Sequence, residues 1–380
     1  MLVVHARTQA ELKALFPAIG RSNALSDTWL HRLLNNCGRF IPARVNEFTF
    51  GLLSHQYNQA VQRRIVGRPV SEHQIDVVQE PTPVSATVPS LMFGLGAPVV
   101  IGPLNAAVKF PLAFRWRQNP TIDLFIASGH QFVDFFNGLL PGKIKAETVL
   151  VANDRTKQAR TALVRGKIIE LVENGVDFSV WRSDSSLSKA ATRKVHFIFL
   201  GRPIDLKAVD LLHEAFAAVV AQTDAVLEII GDGDIRGELE AQTARLGIDS
   251  SVVFSGWLSQ EKCALKLQQA DALVLPSLRE GGGAVVLEAM AVGLPVITTN
   301  WGGPADYLNS SCGILVEPAS QEGFVKGLTD AMLKLAQSPE LLHSMGCAGR
   351  ERVREHFDWE RKVDRILEIY QQTMDACPKP

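Results

Sequence analysis

The chain reads as an α/β protein of two domains, each a parallel sheet covered by helices. Three observations lead there. Short apolar runs alternate with stretches of helical apolar spacing, and strands that alternate with helices build parallel sheets buried on both faces. Several of the runs stop on glycine, as at Leu200-Gly201 and Ile230-Gly231, which ends a strand in a tight turn. The 380 residues exceed one ordinary core and fit two.

The elements are clearest in the second half. Val195–Leu200 is a buried-strand run, and Asp210 to Gln222 spaces Leu211, Leu212, Ala215 and Val219 as one helix face. Ala225–Ile230 is the next strand, followed by a helix through Leu239 to Leu246 with Gly247 as its C-cap. Strand Val252–Phe254, a helix near Lys262–Gln269 and strand Ala272–Leu275 follow. A glycine loop, a helix near Val285–Ala291 and strand Pro295–Thr299 complete the series. Ile75–Val78, Pro98–Ile101, Leu124–Ala127 and Lys167–Leu171 read as strands of the first half. The Ser-rich stretch from Trp181 to Ser188 is a linker, so the first domain spans 1–180 and the second 189–356. Trp359 to Gln372 is an amphipathic helix, with Val363, Ile366, Leu367 and Tyr370 on one face.

Composition narrows the classes. At 46% hydrophobic and 21% charged, the chain is globular in type. No apolar run reaches the roughly 18 residues a spanning helix needs, and the apolar start is too short for a signal peptide. Five scattered cysteines show no disulfide framework and no metal pair, which favours a reducing cytoplasm. Residues 1–187 carry a net +6 and residues 188–380 a net −7. A basic first half suits either an anionic surface or a solvated face. No compact Lys/Arg block points to nucleic acid.

In such sheets ligands sit beyond the carboxyl ends of the strands, and the candidate chemistry falls there. Glu280-Gly281-Gly282-Gly283-Ala284-Val285-Val286-Leu287-Glu288 sets two carboxylates around a glycine run that opens a helix. Glycines let backbone N–H groups approach a ligand, and the helix start offers donors and a positive dipole to a phosphate. Glu280 sits where it can reach sugar hydroxyls, and Glu288 lies about two turns on, placed for a ribose diol. Gly201-Arg202-Pro203-Ile204-Asp205-Leu206-Lys207 brings a guanidinium and an ammonium to a strand end, the positive charge that a diphosphate leaving group needs.

These residues, with Ile230-Gly231-Asp232-Gly233, Val253-Phe254-Ser255-Gly256, Leu275-Pro276-Ser277, Gly293-Leu294-Pro295-Val296, Gly302-Gly303 and Gly313, resemble glycosyltransferase family 4 over roughly residues 145–375. The resemblance implies the GT-B fold, two facing Rossmann-like domains with parallel sheets, and a closing segment 357–380 packed back on the first. It also implies a retaining transfer of sugar from a nucleotide diphosphate sugar (UDP, GDP or ADP) to a glycan or lipid-linked acceptor in polysaccharide biosynthesis. Arg202 and Lys207 would hold the diphosphate in place of a metal, with no cofactor. Glu280 would position the sugar and Glu288 the ribose. Gly201, Gly231, Gly281, Gly282, Gly283 and Ala284 would line the donor, and the backbone at Trp257-Leu258 would hold the base. Gly102-Pro103-Leu104-Asn105 resembles the acceptor side, where Asn105 and His130 are candidates.

Three departures touch that side. The family's opening strand and Gly-Gly loop have no counterpart, and Met1–Arg7 resembles its second strand. Ala106-Ala107 stand where relatives carry a glycine pair. Gln79 stands where many members have a histidine. They motivate an alternative, a catalytically impaired nucleotide-sugar-binding protein or partner subunit. A nicotinamide-dependent dehydrogenase would need a Gly-x-Gly-x-x-Gly at a βαβ start, which is absent. Asp232-Gly233-Asp234 reads as a turn rather than a metal motif. Lys109–Arg117 mixes basic and aromatic residues, suited to peripheral membrane contact or to packing on a core.

Overall fold

The computed structural model describes residues 2–5, 22–25, 28–41, 45–46, 49–72, 75–82, 85–86, 88–105, 108–118, 135, 137–160, 164–183 and 194–377. The chain divides into two compact units. The first comprises Met1–Ala107, Gln118–Glu173 and Ile366–Pro380, and the second Val108–Arg117 and Asn174–Arg365.

Among its described residues the first unit holds two parallel sheets. β1 (Leu2–His5) pairs with β2 (Ser22–Leu25) in a sheet of its own. β3 (Val78–Glu80), β4 (Val99–Leu104), β5 (Thr148–Val151) and β6 (Lys167–Glu170) lie side by side in that order. Side chains alternate across a strand, and the core follows. Val99, Ile101, Val149 and Val151 meet Val66 and Val70 of the helix Phe50–Ser71 on one face. Val100 and Leu150 meet Ile369 on the other. Ile369 belongs to the closing helix Trp359–Ala376, and Thr373 Oγ1 of that helix lies 2.8 Å from Thr148 Oγ1. The strand expected at Ile75–Val78 begins only at Val78. That expected at Leu124–Ala127 lies outside the described residues, as do His130, Ala106-Ala107 and most of the Ser-rich linker.

The second unit is a six-stranded parallel sheet in the order β12-β11-β10-β7-β8-β9. β7 is Val195–Leu200, β8 Ala225–Ile230, β9 Val252–Gly256, β10 Ala272–Leu275, β11 Val296–Thr299 and β12 Gly313–Val316. Every residue of β10 and β11 is buried, as a sheet covered on both faces requires. The chain winds outward from β7 through β8 to β9, then returns to β10 on the other side of β7. The gap between β7 and β10 is therefore the topological switch point, where such sheets bind ligands. Leu211, Leu212, Ala215 and Val219 are all buried on the helix Val209–Val220, as their spacing implies. Gly247 ends the helix Arg236–Leu246 with φ 68°, a C-cap that costs an L-residue steric strain.

Lys109–Arg117 packs on this unit. Phe110 and Phe114 are buried, and Phe114 meets Phe324 edge to face at 5.8 Å. Arg117 grips Asp210 with both terminal nitrogens. The aromatic content that suggested a membrane is thus largely spent on the core, while Leu112 and Trp116 remain exposed.

Candidate donor site

The switch point brings together the loops that follow β7 and β10. Leu278 N–H donates to the Leu206 carbonyl at 2.9 Å, stitching one loop to the other. Lys207 Nζ then sits in direct contact with Glu280 Oε2. Two residues separated by 73 positions in sequence thus form one ion pair, and both side chains are mostly buried, at 16% and 18% exposed. Burial pushes the Lys207 ammonium down to about 8, because desolvation disfavours the charged form. The facing carboxylate favours that charge.

The glycine run is shaped by what it touches. Gly283 caps the helix Ala284–Ala291 with φ 83°. A Cβ there would lie 2.9 Å from Pro304 Cγ and 3.2 Å from Glu280 Cγ, so both conformation and space demand glycine. Gly303 N–H donates to the Glu280 carbonyl at 3.0 Å, holding the loop from β11 against the loop from β10. The helix opens directly behind this loop, and its first N–H groups have no partner within the helix. That is an anion-binding arrangement when the crevice is filled.

Glu288 lies further along the same helix. Burial raises its carboxyl to about 7. Its charge reaches Cys263, whose thiol is raised by burial first and by Glu288 second. Cys263 Sγ in turn lies 3.8 Å from the Leu258 carbonyl. Cys263 thus feels the charge of Glu288 and touches the backbone of Leu258. Trp257 beside them is 79% exposed. Gly201 and Gly231 continue the sheet past its strands, with Gly201 N–H on Ile230 O at 2.9 Å and Gly231 N–H on Gly256 O at 2.8 Å.

Arg202 does not join this group. It is exposed and paired with Asp234 at 3.1 Å. The strand end delivers Lys207 to Glu280 but turns Arg202 toward the next loop. Asp232 accepts from Gly233 N–H at 2.9 Å, and Arg236 N–H donates to the Gly233 carbonyl at 3.1 Å, closing a turn through Asp234. In the first unit, Asn105 donates to Glu173 at 2.6 Å and Gln79 to the Gly102 carbonyl at 3.1 Å.

Two features were not anticipated from sequence. Glu228 on β8, nearly fully buried, takes hydrogen bonds or ion pairs from His196, Lys266 and Ser255. Burial alone would raise its carboxyl, but these three donors outweigh it and hold it at about 2. Arg279 and Trp301 donate to the carbonyls of Val108 and Lys109, at 2.9 and 2.6 Å. A lone Glu in an apolar strand was the signal for the first. For the second, sequence carries none.

The chain resembles known proteins in sequence and in fold. The sequence model of the family described as glycosyl transferases group 1 matches residues 183–352. The N-acetyl-alpha-D-glucosaminyl L-malate synthase of Bacillus anthracis is 33% identical over 211 residues, 54% of this chain and 54% of that protein. The MMP alpha-(1->4)-mannosyltransferase of Mycolicibacterium hassiacum is 31% identical over 173 residues, 45% of this chain and 41% of that protein. The chain spans about half the length of the curated relatives it matches. HepE of Anabaena, solved in complex with UDP, superposes with a TM-score of 0.62 over 98% of this chain and 100% of that one. At 15% identity that likeness speaks for the fold, which is the GT-B class of two α/β units with parallel sheets. Over residues 183–352 this chain is therefore similar to the glycosyl transferases group 1 family.

Proposed function

We propose that the protein is a retaining glycosyltransferase that moves a sugar from a nucleotide diphosphate sugar to a glycan or lipid-linked acceptor in polysaccharide biosynthesis. The observation that carries this is the Lys207–Glu280 pair at the switch point, backed by the glycine-capped helix Ala284–Ala291. Lys207 and the helix start would stabilise charge on the departing diphosphate, the interaction that most lowers the barrier in such a transfer. Glu280, released from Lys207 as phosphate takes its place, would accept from sugar hydroxyls. Glu288 would take the ribose diol and the Trp257-Leu258 backbone the base. Arg202 would reach the phosphates after leaving Asp234, a small cost for an exposed pair.

A nucleotide base is suggested by HepE, which binds UDP; the sugars named in the two relatives differ, so the sugar is open to a panel. For a lipid-linked acceptor, the exposed Leu112 and Trp116 side chains are the candidates for peripheral membrane contact. The test is release of nucleotide diphosphate from UDP, GDP and ADP sugars with glycan and lipid-linked acceptors. One donor should turn over, and Lys207→Ala should lower kcat/KM about 100- to 1,000-fold. Turnover of a donor that is indifferent to Lys207→Ala would refute the assigned site, and binding without turnover would favour a nucleotide-sugar-binding partner subunit.

A further inference from the structure

Residues 108–117 belong to the second unit, although the residues on either side of them belong to the first. This excursion touches two loops of the donor site. Its first two residues cross-link two loops: the Val108 carbonyl accepts from Arg279 Nε at 2.9 Å, and the adjacent Lys109 carbonyl accepts from Trp301 Nε1 at 2.6 Å. Arg279 precedes Glu280, and Trp301 precedes the Gly302-Gly303 pair. Gly302 lies under the same strap. A Cβ there would meet the Glu280 carbonyl at 2.4 Å and Val108 Cγ1 at 3.3 Å. The far end is anchored three residues past Lys207, where Arg117 grips Asp210. Between these points Phe110 and Phe114 are buried, Phe114 against Phe324.

We infer that Val108–Arg117 is a positioning strap of the donor site, which fixes the separation of the Glu280 loop and the Trp301 loop and so sets where Glu280 meets the sugar. The inference rests on the function proposed above. Backbone carbonyls suit the task because they have fewer rotamers to lose than side chains. Both donors they hold are rigid groups, an indole and a guanidinium. The strap's two cross-links hold the Glu280 and Trp301 loops, so it bears on the reacting end of the donor.

The test combines amide hydrogen exchange with steady-state kinetics on the full chain. Trp301→Phe removes one N–H donor and keeps the ring. Arg117→Met removes the anchor, and Glu322→Gln alters an exposed side chain outside the strap as a control. Trp301→Phe and Arg117→Met should speed exchange in 280–286 and 301–303 while β8 stays protected. Each should lower kcat about 10-fold, with KM for the donor changed by no more than about threefold. Glu322→Gln should match the wild type in both. Loop exchange and kcat equal to wild type in Trp301→Phe would overturn the strap, as would exchange raised evenly across the unit. A wild type that turns over no nucleotide sugar would instead defeat the proposed function, and the exchange arm would still decide whether the strap holds the loops.

Discussion

Lys207 and Glu288 are pushed toward neutrality from opposite sides, the amine down to about 8 and the carboxyl up to about 7, each by burial. Burial is what raises Glu288, since desolvation disfavours its charged form. A raised carboxyl binds a proton more tightly in the folded protein than in the unfolded chain. Its contribution to stability is therefore complete below about pH 4.5 and is lost as pH rises through about 7. Glu288→Gln removes that penalty and should stabilise the unliganded protein at pH 8 by about 1–3 kcal/mol, while changing little at pH 4. Chemical denaturation at the two pH values checks this, and equal effects at both would contradict it. The same variant should weaken donor binding, because a neutral amide is a poorer acceptor for a diol than a carboxylate. Sequence disclosed the two carboxylates and the lysine because the chemistry of a glycine loop is local. It did not give the direction of Arg202, which pairs with Asp234 in the next loop, a non-local competitor for the same guanidinium.

At the scale of elements, five of the six strands in the second unit's parallel sheet were legible, each a near-continuous apolar run bounded by turns, while β12 was not read. Glu228 is the exception within it. A carboxylate in a buried strand is tolerated here because His196 on β7, Ser255 on β9 and Lys266 on the neighbouring helix all turn toward it. Its pKa is depressed from the usual 4.5 to about 2, so its stabilisation is present above about pH 4.5 and fades as pH falls toward 2. Glu228→Gln should cost about 2–3 kcal/mol at pH 7 and flatten the loss of stability between pH 4.5 and 3. Acid titration of the denaturation midpoint measures both. A variant with the wild-type acid slope would show that the network holds no charge of consequence. The first-half strands were harder to read because β3 is only three residues long. Its burial comes from β4 and the helix Phe50–Ser71 rather than from its own pattern.

At the scale of the whole molecule, neither unit is a continuous stretch of chain. The strap leaves the first half to join the second unit, and the closing helix carries Ile366–Pro380 into the first. Amphipathic spacing revealed that Trp359–Ala376 would be a helix; its destination was implied by family resemblance alone. Ile369 is fully buried against Val100 and Leu150, so Ile369→Ala should destabilise the first unit by about 2–4 kcal/mol. Exchange protection should drop in β4 and β5 and persist in β10 and β11. Equal loss in both units would mean that they unfold as one. The path of the strap was invisible in sequence because its two cross-links run from backbone carbonyls, which every residue possesses.

The central claim is that the second unit holds a nucleotide diphosphate sugar over Lys207 and Glu280. A thermal-shift panel of UDP, GDP and ADP sugars, with Lys207→Ala alongside and a nicotinamide nucleotide as control, tests it most directly. A ligand at 100 times its Kd adds about 2.7 kcal/mol, which is a shift of several degrees at roughly 2–4 °C per kcal/mol. The account expects that shift with one nucleotide sugar, lost in Lys207→Ala and absent with the control. No shift with any nucleotide sugar, or one that survives Lys207→Ala unchanged, would contradict it.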